Sequence, residues 1–364
     1  MGVFRSLGDE YEEVVFFHDP PTGLRAIVAI HSTALGPALG GTRFYPFASE
    51  EDALRDVLRL SRGMTYKAAA AGLDLGGGKA VIIGDPKRDK SEELLRAYGR
   101  FIDSLGGRYI TAEDVGTARE DMDILRRETG WVTGVSKRLG GSGDPSPVTA
   151  WGTLQGLRAC IEEELQTQSF DGLRVVVQGV GKVGFHLAKH LVEAGAKVIV
   201  ADVDVDAVGR AVRDLGVETV EPEKAHAVEC EILAPCAMGG IIRDDTLPEL
   251  KCRMVAGSAN NQLERPEHGD MLGNQGILYA PDFVINAGGL INVSDELQGY
   301  DRERAMARVE GIYRTLREVF RLARTEGIST RKAAERMAEE RMARVSRVRL
   351  LWVPGRTGPS RRRV

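Results

Sequence analysis

The 364-residue chain is poor in aromatic residues, at 6%, and holds only four cysteines. Cys160, Cys230, Cys236 and Cys252 form no CxxC pair and no Cys/His set at zinc-ligand spacing, which argues against a disulfide framework and a structural zinc site. The six histidines offer no ligand set either. His186 and His190 lie four apart on one expected helix, with no third ligand evident. No metal is expected. The longest apolar runs, such as Val198–Ala201, are far too short to span a bilayer. The opening MGVFRSLGDEYEE has no apolar core and carries acids early, unlike a signal peptide. A net charge of −4 and a pI near 6.0 give no reason to expect nucleic acid or membrane as partners. What these absences leave is a cytoplasmic protein with buried, reduced thiols.

The composition that remains is 43% hydrophobic and 28% charged, an ordinary globular balance, and the length favours two domains. Strand and helix signals alternate throughout, so the expected class is α/β. Val14–Phe17 and Leu24–Ile30 read as antiparallel strands joined by the turn Asp19-Pro20-Pro21-Thr22-Gly23. Ser49 with Asp52 starts a helix that runs through Met64 to Lys67, and Ser91–Leu105 is another helix. Ala80–Ile83 reads as a buried strand, with Lys79 in the glycine loop before it. Arg108–Ala112 is a strand that delivers Glu113 and Asp114, and Thr117 with Glu120 caps the next helix. The turn-rich stretch from Gly140 to Pro147 reads as a hinge, with Ser146 capping the helix that follows.

From Leu173 onward the pattern is βαβ, with further strands expected near Glu231–Ala234, Arg253–Ala256 and Phe283–Ile285. Two long helices, Arg302–Thr325 and Ser329–Val348, are expected to pack back onto the first domain. The expected boundaries are residues 1–140 for an N-terminal domain, joined by a C-terminal helix at about 328–350, and residues 141–327 for a Rossmann-type domain. Residues 355–364, rich in Gly, Pro, Ser and Arg, read as a disordered tail.

Two segments carry chemistry. The first is the fingerprint Gly179-Val180-Gly181-Lys182-Val183-Gly184, which follows a strand, opens a helix and has Asp202 about twenty residues on. Such glycines let backbone approach a pyrophosphate at a helix N-terminus, and the acid takes ribose hydroxyls, favouring NAD over NADP. The second is a pair of lysines twelve residues apart, Lys67 after Met64-Thr65-Tyr66 and Lys79 after Gly76-Gly77-Gly78. GGGK is not a phosphate loop: Leu73 and Ala80 stand where that motif needs glycine and a hydroxyl. A lysine among apolar residues has a lowered pKa and can act as a base. With Asp114 nearby in the chain, the set suggests one lysine for a carboxylate, one for proton chemistry, and a carboxylate to manage an amine.

These residues resemble the glutamate/leucine/phenylalanine/valine dehydrogenase family, nearest its leucine and valine branch. The resemblance spans Tyr11 to about Arg344 and includes LGPALGGTR (35–43), SRGMTYK (61–67), GLDLGGGKAVIIGDP (72–86), RYITAEDVGT (108–117), SPVTAWG (146–152), AGSANNQL (256–263) and YAPDFVINAGGLINVSDE (279–296). It implies an N-terminal α/β substrate and oligomerisation domain and an NAD-binding domain separated by a cleft. By resemblance, Lys67 holds the substrate α-carboxylate with backbone at Gly40 and Gly41 and with Met64 nearby. Lys79 activates a water, helped by the charge of Lys67. Asp114 exchanges protons with the amino group. Thr149, Asn260, Asn261 and Asn286 lie near nicotinamide and substrate.

Glutamate-type members carry lysine at the place of Leu39, so the pocket of Leu39, Ala112, Leu290 and Val293 implies an apolar substrate. Lys182 and Gly184 stand nearer the valine-type pattern than the leucine type. The implied reaction is reversible deamination of a branched-chain L-amino acid to a 2-oxo acid and ammonia by a homo-oligomer, octamer or dimer. A non-catalytic sensor of NAD or amino acid on the same fold, and a phenylalanine-preferring enzyme, remain as alternatives.

Overall fold

The computed structural model describes residues 10–237 and 239–347. The C-terminal residues 355–364, expected as a disordered tail, lie outside them. The chain divides into two compact units. Among described residues, the first comprises 10–143, 293–302 and 338–347, and the second 144–237, 239–292 and 303–337.

The first unit begins with β1 (Glu13–Asp19), β2 (Leu24–Ser32), β3 (Ala38–Tyr45), α1 (Glu50–Ala70) and β4 (Gly76–Ile83). It continues with α2 (Glu92–Ser104), β5 (Tyr109–Glu113) and α3 (Arg119–Leu125). Ser49 accepts from the Asp52 N–H and caps α1, while Ser91 caps α2 through the Leu94 N–H. The sheet order is β1-β2-β4-β3-β5. β1 and β4 run antiparallel to β2, and β3 runs parallel to both β4 and β5. Period-two alternation gives each face its own core. Ala80 and Ile82 pack with Tyr98, Ile102 and Tyr109 on one side, and Val81 packs with Ala53, Leu54, Val57 and Leu58 of α1 on the other.

Three local readings need correction here. The glycine run is not a loop: Gly76–Gly78 are strand residues, and Lys79 sits within β4. Each glycine instead fits a close contact. A Cβ on Gly76 would meet Ser32 O at 2.0 Å, one on Gly77 the Thr65 backbone N at 2.0 Å, and one on Gly78 the Tyr109 ring at 2.7 Å. The cap of α3 is also different. The Asp121 carboxylate accepts from the Ala118 N–H, whereas the Thr117 hydroxyl lies 2.9 Å from Thr42 O and accepts from the Asp114 N–H at 2.8 Å. Finally, the helix after the turn-rich stretch includes Ser146 and is led by Pro145, with Asp144 accepting from the Ser146 N–H.

The second unit holds α4 (Ser146–Leu165), β6 (Arg174–Gln178), α5 (Lys182–Glu193), β7 (Lys197–Ala201), α6 (Val205–Leu215) and β8 (Glu218–Thr219). It continues with β9 (Cys230–Pro235), β10 (Cys252–Val255), α7 (His268–Asn274), β11 (Leu278–Tyr279) and α8 (Asp282–Ile285). The sheet, in order β11-β10-β9-β6-β7-β8, is parallel throughout. Strand order reverses at β6, which pairs with β7 on one edge and β9 on the other; in such sheets the ligand crevice lies beyond the carboxyl ends there. Phe283–Ile285, expected as a strand, is helical: Pro281 precedes it and Asp282 accepts from the Phe283 N–H.

Unit boundaries fall inside two helices, α9 (Gly288–Asp295) after Asn292 and α11 (Thr330–Ser346) after Met337. The helix between them, α10 (Arg302–Glu326), packs within the second unit, not on the first as expected. Arg317 pairs with Glu163 of α4 at 3.0 Å, and Gly152 of α4 leaves room for Ile312. Only the last part of α11 joins the first unit, where Arg341 donates to Leu73 O at 2.6 Å and pairs with Asp74 at 2.9 Å.

Candidate active site

Alternation along β3 and β5 decides which side chains share a sheet face. Leu39, Gly41 and Arg43 project with Lys79 toward α1, as do Ile110 and Ala112, while Ala38, Thr42 and Phe44 face α2. Thr42 marks the opposite face: its hydroxyl bonds those of Tyr98 and Thr111, each at 2.6 Å. Asp114 follows β5 in a tight turn, closed by the Thr117 N–H to Asp114 O bond at 2.9 Å. The turn needs Gly116, at φ 80°, whose missing Cβ would sit 1.9 Å from Phe44 O.

Lys79 Nζ lies 2.9 Å from Asp114 Oδ2, with 7% and 23% of the two side chains exposed. Burial lowers the Lys79 pKa from the ordinary 10.5, and the Asp114 charge opposes that shift without cancelling it. Arg43 is a cation that adds to the lowering. For Asp114, burial raises the pKa, but Lys79 and Arg43 together outweigh it and hold the carboxyl below the usual 3.8. The result is a nearly dry lysine–carboxylate pair in which one proton can be shared or withdrawn.

Lys67 occupies the last turn of α1, half-buried, with Met64 one turn earlier. The route of α1 over β4 depends on Gly77, where helix backbone takes the place of a side chain. Gly40 and Gly41 are close-contact positions too: a Cβ on the first would lie 1.8 Å from Gly78 O, and one on the second 2.9 Å from Asp114 Cβ. Leu39 is 1% exposed and Ala112 8%, so the strand beside the pair is apolar. Leu290 is buried and Val293 half-buried, both on α9. In the sequence Arg43 is only the last residue of LGPALGGTR, yet its Nε lies 3.2 Å from Asp114 Oδ2. Strand alternation from Leu39 was the signal that could have found it.

In the second unit, the fingerprint turns from β6 into α5. Gly179 adopts φ 101°, and a Cβ there would strike Ala237 at 2.6 Å. A Cβ on Gly184 would lie 1.8 Å from Gly179 O, which locks α5 onto the loop. At Gly181, by contrast, a Cβ would meet nothing within 4 Å, and Lys182 beside it is exposed. That open backbone at a helix N-terminus is what a pyrophosphate requires. Val180 is buried, Val183 half-buried. Asp202 accepts from the Val180 N–H at 2.7 Å and the Asp204 N–H at 3.0 Å, tying the loop to the end of β7; its remaining lone pairs can take hydroxyl donors. The residues present fit a dinucleotide.

Asn286 donates to Asn260 Oδ1 at 2.8 Å, and its own Oδ1 is buried without a partner. Asn261 is exposed, at φ 52°. Thr149, in the first turn of α4, donates to Pro145 O, and Gly289 keeps clear of its hydroxyl. The one group with metal-like geometry among the described residues, Asp244, Glu264 and His268, is crossed by the Arg265 guanidinium, which pairs with Asp244.

A doubly wound dinucleotide domain and a buried lysine–carboxylate pair are the apparatus of a dehydrogenase that oxidises an amine. Residues 11–131 match the Glu/Leu/Phe/Val dehydrogenase dimerisation domain, and residues 140–209 and 205–349 match Glutamate/Leucine/Phenylalanine/Valine dehydrogenase. The chain belongs to the Glu/Leu/Phe/Val dehydrogenase family. It is 57% identical over 340 residues to leucine dehydrogenase of Geobacillus stearothermophilus, covering 93% of each chain. To valine dehydrogenase of Streptomyces virginiae it is 52% identical over 344 residues, 94% of this chain and 96% of that protein. The crystal structure of L-tryptophan dehydrogenase from Nostoc punctiforme superposes with a TM-score of 0.83 at 44% identity, covering 94% of this chain and 99% of that one. The protein is an amino-acid dehydrogenase, an oxidoreductase that uses a nicotinamide cofactor. Among the described residues, no helix is long and apolar enough to cross a membrane.

Proposed function

We propose that this chain catalyses the reversible, NAD-dependent oxidative deamination of a branched-chain L-amino acid (leucine, valine or isoleucine) to the 2-oxo acid and ammonia. The observation that carries this reading is the buried pair of Lys79 and Asp114, at 2.9 Å, beside the buried apolar residues Leu39 and Ala112. Leu39 and Ala112 offer no partner to a glutamate side chain, whose carboxylate would be left unpaired beside them at a cost of several kcal/mol. Relatives named for leucine and valine support the same substrate class.

In this mechanism Lys67 holds the α-carboxylate, with Gly40 and Gly41 offering backbone. Asp114 takes a proton from the substrate ammonium. The nicotinamide cofactor, held by Gly179–Gly184, supplies the acceptor for the hydride that leaves Cα. Neutral Lys79 then draws a proton from water as its oxygen adds to the iminium carbon. The carbinolamine collapses when the nitrogen regains a proton from Asp114 and departs as ammonia, the hydroxyl proton passing to the Asp114 carboxylate so freed as the C=O bond forms. Asp202 favours NAD because a 2′-phosphate beside its carboxylate is repelled. Thr149, Asn260, Asn261 and Asn286 orient the reacting groups, and Leu39, Ala112, Leu290 and Val293 shape the side-chain pocket. The working form is a homo-oligomer in the cytoplasm, octamer or dimer, with residues 10–143, 293–302 and 338–347 as its substrate and oligomerisation part and 144–237, 239–292 and 303–337 as its NAD-binding part.

The test is NADH formation by purified protein with leucine, valine, isoleucine, phenylalanine and glutamate in turn. Branched-chain turnover above the other two is expected. A higher kcat/KM for phenylalanine than for valine overturns the pocket assignment. NAD binding without turnover of any of the five overturns the catalytic one in favour of a sensor.

A further inference from the structure

Asp114 Oδ2 has two cationic partners. Lys79 approaches at 2.9 Å, and Arg43 Nε approaches the same oxygen at 3.2 Å. Arg43 is itself held: its Nη1 lies 2.7 Å from Asp56 Oδ2 on α1, and Asp56 Oδ1 is engaged by Arg59 at 3.0 Å. The side chains of Arg43 and Asp56 are only 23% and 15% exposed. A chain of alternating charge therefore runs Lys79–Asp114–Arg43–Asp56–Arg59, along one sheet face and onto the helix that also carries Lys67. Asp56 and Lys67 are eleven residues apart, which returns to the same helix stripe within about 20°.

We propose that Arg43 is a positioning residue for the reaction: anchored by Asp56, it keeps Asp114 paired when Lys79 gives up its proton. The physical need is specific. Water activation requires that Lys79 enter the cycle neutral, and in that state, before Asp114 takes the substrate's proton, the Asp114 carboxylate has lost its nearest cation while 23% exposed. An unpaired buried carboxylate is costly, so the Lys79–Asp114 pair would otherwise hold its proton tightly. Arginine cannot be deprotonated in a protein, and its planar fork reaches two carboxylates at once. Arg43 thus supplies a charge that does not titrate with the base. The charged groups acting on the pair include Arg43 from β3 and Asp56 from α1, and α1 also carries Lys67; the Tyr109 phenol of β5 is neutral and donates to Gly40 O at 2.5 Å. Among them, Arg43 lowers the proton affinity of Lys79 and Asp56 raises it.

The inference rests on the deamination reading, and the experiment separates the two. The pH profile of kcat is measured for wild type, Arg43→Gln and Arg43→Lys with a branched-chain amino acid and NAD. Removing the fixed charge is expected to move the ascending limb of Arg43→Gln to higher pH by about one unit. On the limb, kcat falls about tenfold, and at high pH the curves converge. Arg43→Lys should lie between. NADH binding and circular dichroism report that each variant is folded, and if Arg43→Gln does not fold, Arg43→Lys reads the same limb. A uniform loss of activity with the limb unmoved in the folded variants overturns the positioning role. A wild type that turns over no amino acid overturns the functional reading instead.

Discussion

Gly76–Gly78 and Gly179–Gly184 look alike in sequence and serve opposite ends. In the first unit, glycines are places where something solid already stands: helix backbone against Gly77, a tyrosine ring against Gly78. In the second, Gly179 and Gly184 are equally crowded, but between them Gly181 opens on empty space. One run makes a contact between α1 and β4, so that the helix carrying Lys67 lies on the sheet face from which Lys79 projects. The other leaves backbone open at Gly181, the place proposed for the pyrophosphate. A missing side chain is thus filled by packing at Gly77 and Gly78 and left open at Gly181, and only the neighbours tell which.

The difference can be broken by substitution. The largest expected effect is on the chemistry of the first unit alone. Lys79→Ala should lower kcat by about a thousandfold, within the 10²–10⁴ range for a lost general base, while NADH titration by fluorescence stays unchanged. Next comes Gly77→Ala, which places a methyl 2.0 Å from the Thr65 N. Backbone cannot give way as a flexible side chain can, so denaturant melts should show a loss of about 3 kcal/mol, at the upper end for overpacking. A melt unchanged by that substitution would mean that α1 does not rest on β4 as described.

Gly181→Ala sharpens the contrast from the other side. Its methyl meets no protein atom within 4 Å, so stability should hold within about 0.5 kcal/mol. The dissociation constant for NADH should nevertheless rise about tenfold, some 1.4 kcal/mol, because the methyl occupies pyrophosphate space. Equal losses of stability in the two alanine variants would erase the distinction. The smallest intervention changes only pH. Burial lowers the Lys79 pKa, so its neutral form accumulates before that of an ordinary lysine, and kcat should rise with pH along a limb centred below 10.5. A limb at or above that value would argue against Lys79 as the base.

Local signals carried much of this molecule. Ser49 announced the helix it caps, because its side chain answers to an N–H three residues away. The fingerprint at Gly179 with Asp202 could be read because a strand, a turn, a helix and an acid recur at fixed spacing. Other readings failed where neighbours from far along the chain intervene. The Phe283–Ile285 run is apolar and too short for periodicity to separate strand from helix. Its conformation is set partly by Asp282, which also accepts from the Gln262 N–H at 3.0 Å. Thr117 looked like a cap and instead lies against Thr42 O, a partner 75 residues away. Arg43 was passed over because its value lies in Asp56 and Asp114, from two other elements.

The sequence by itself determined the α/β class, the dinucleotide loop and the identity of the chemical groups, since propensities, caps and spacing are properties of neighbouring residues. Only the tertiary structure decided that GGGK is a strand, that burial tunes Lys79, and that Arg43 shares the oxygen of Asp114. Those facts depend on which backbone fills the place of a missing Cβ, and on how much water is excluded around a charge, and both are set by residues distant in sequence brought together.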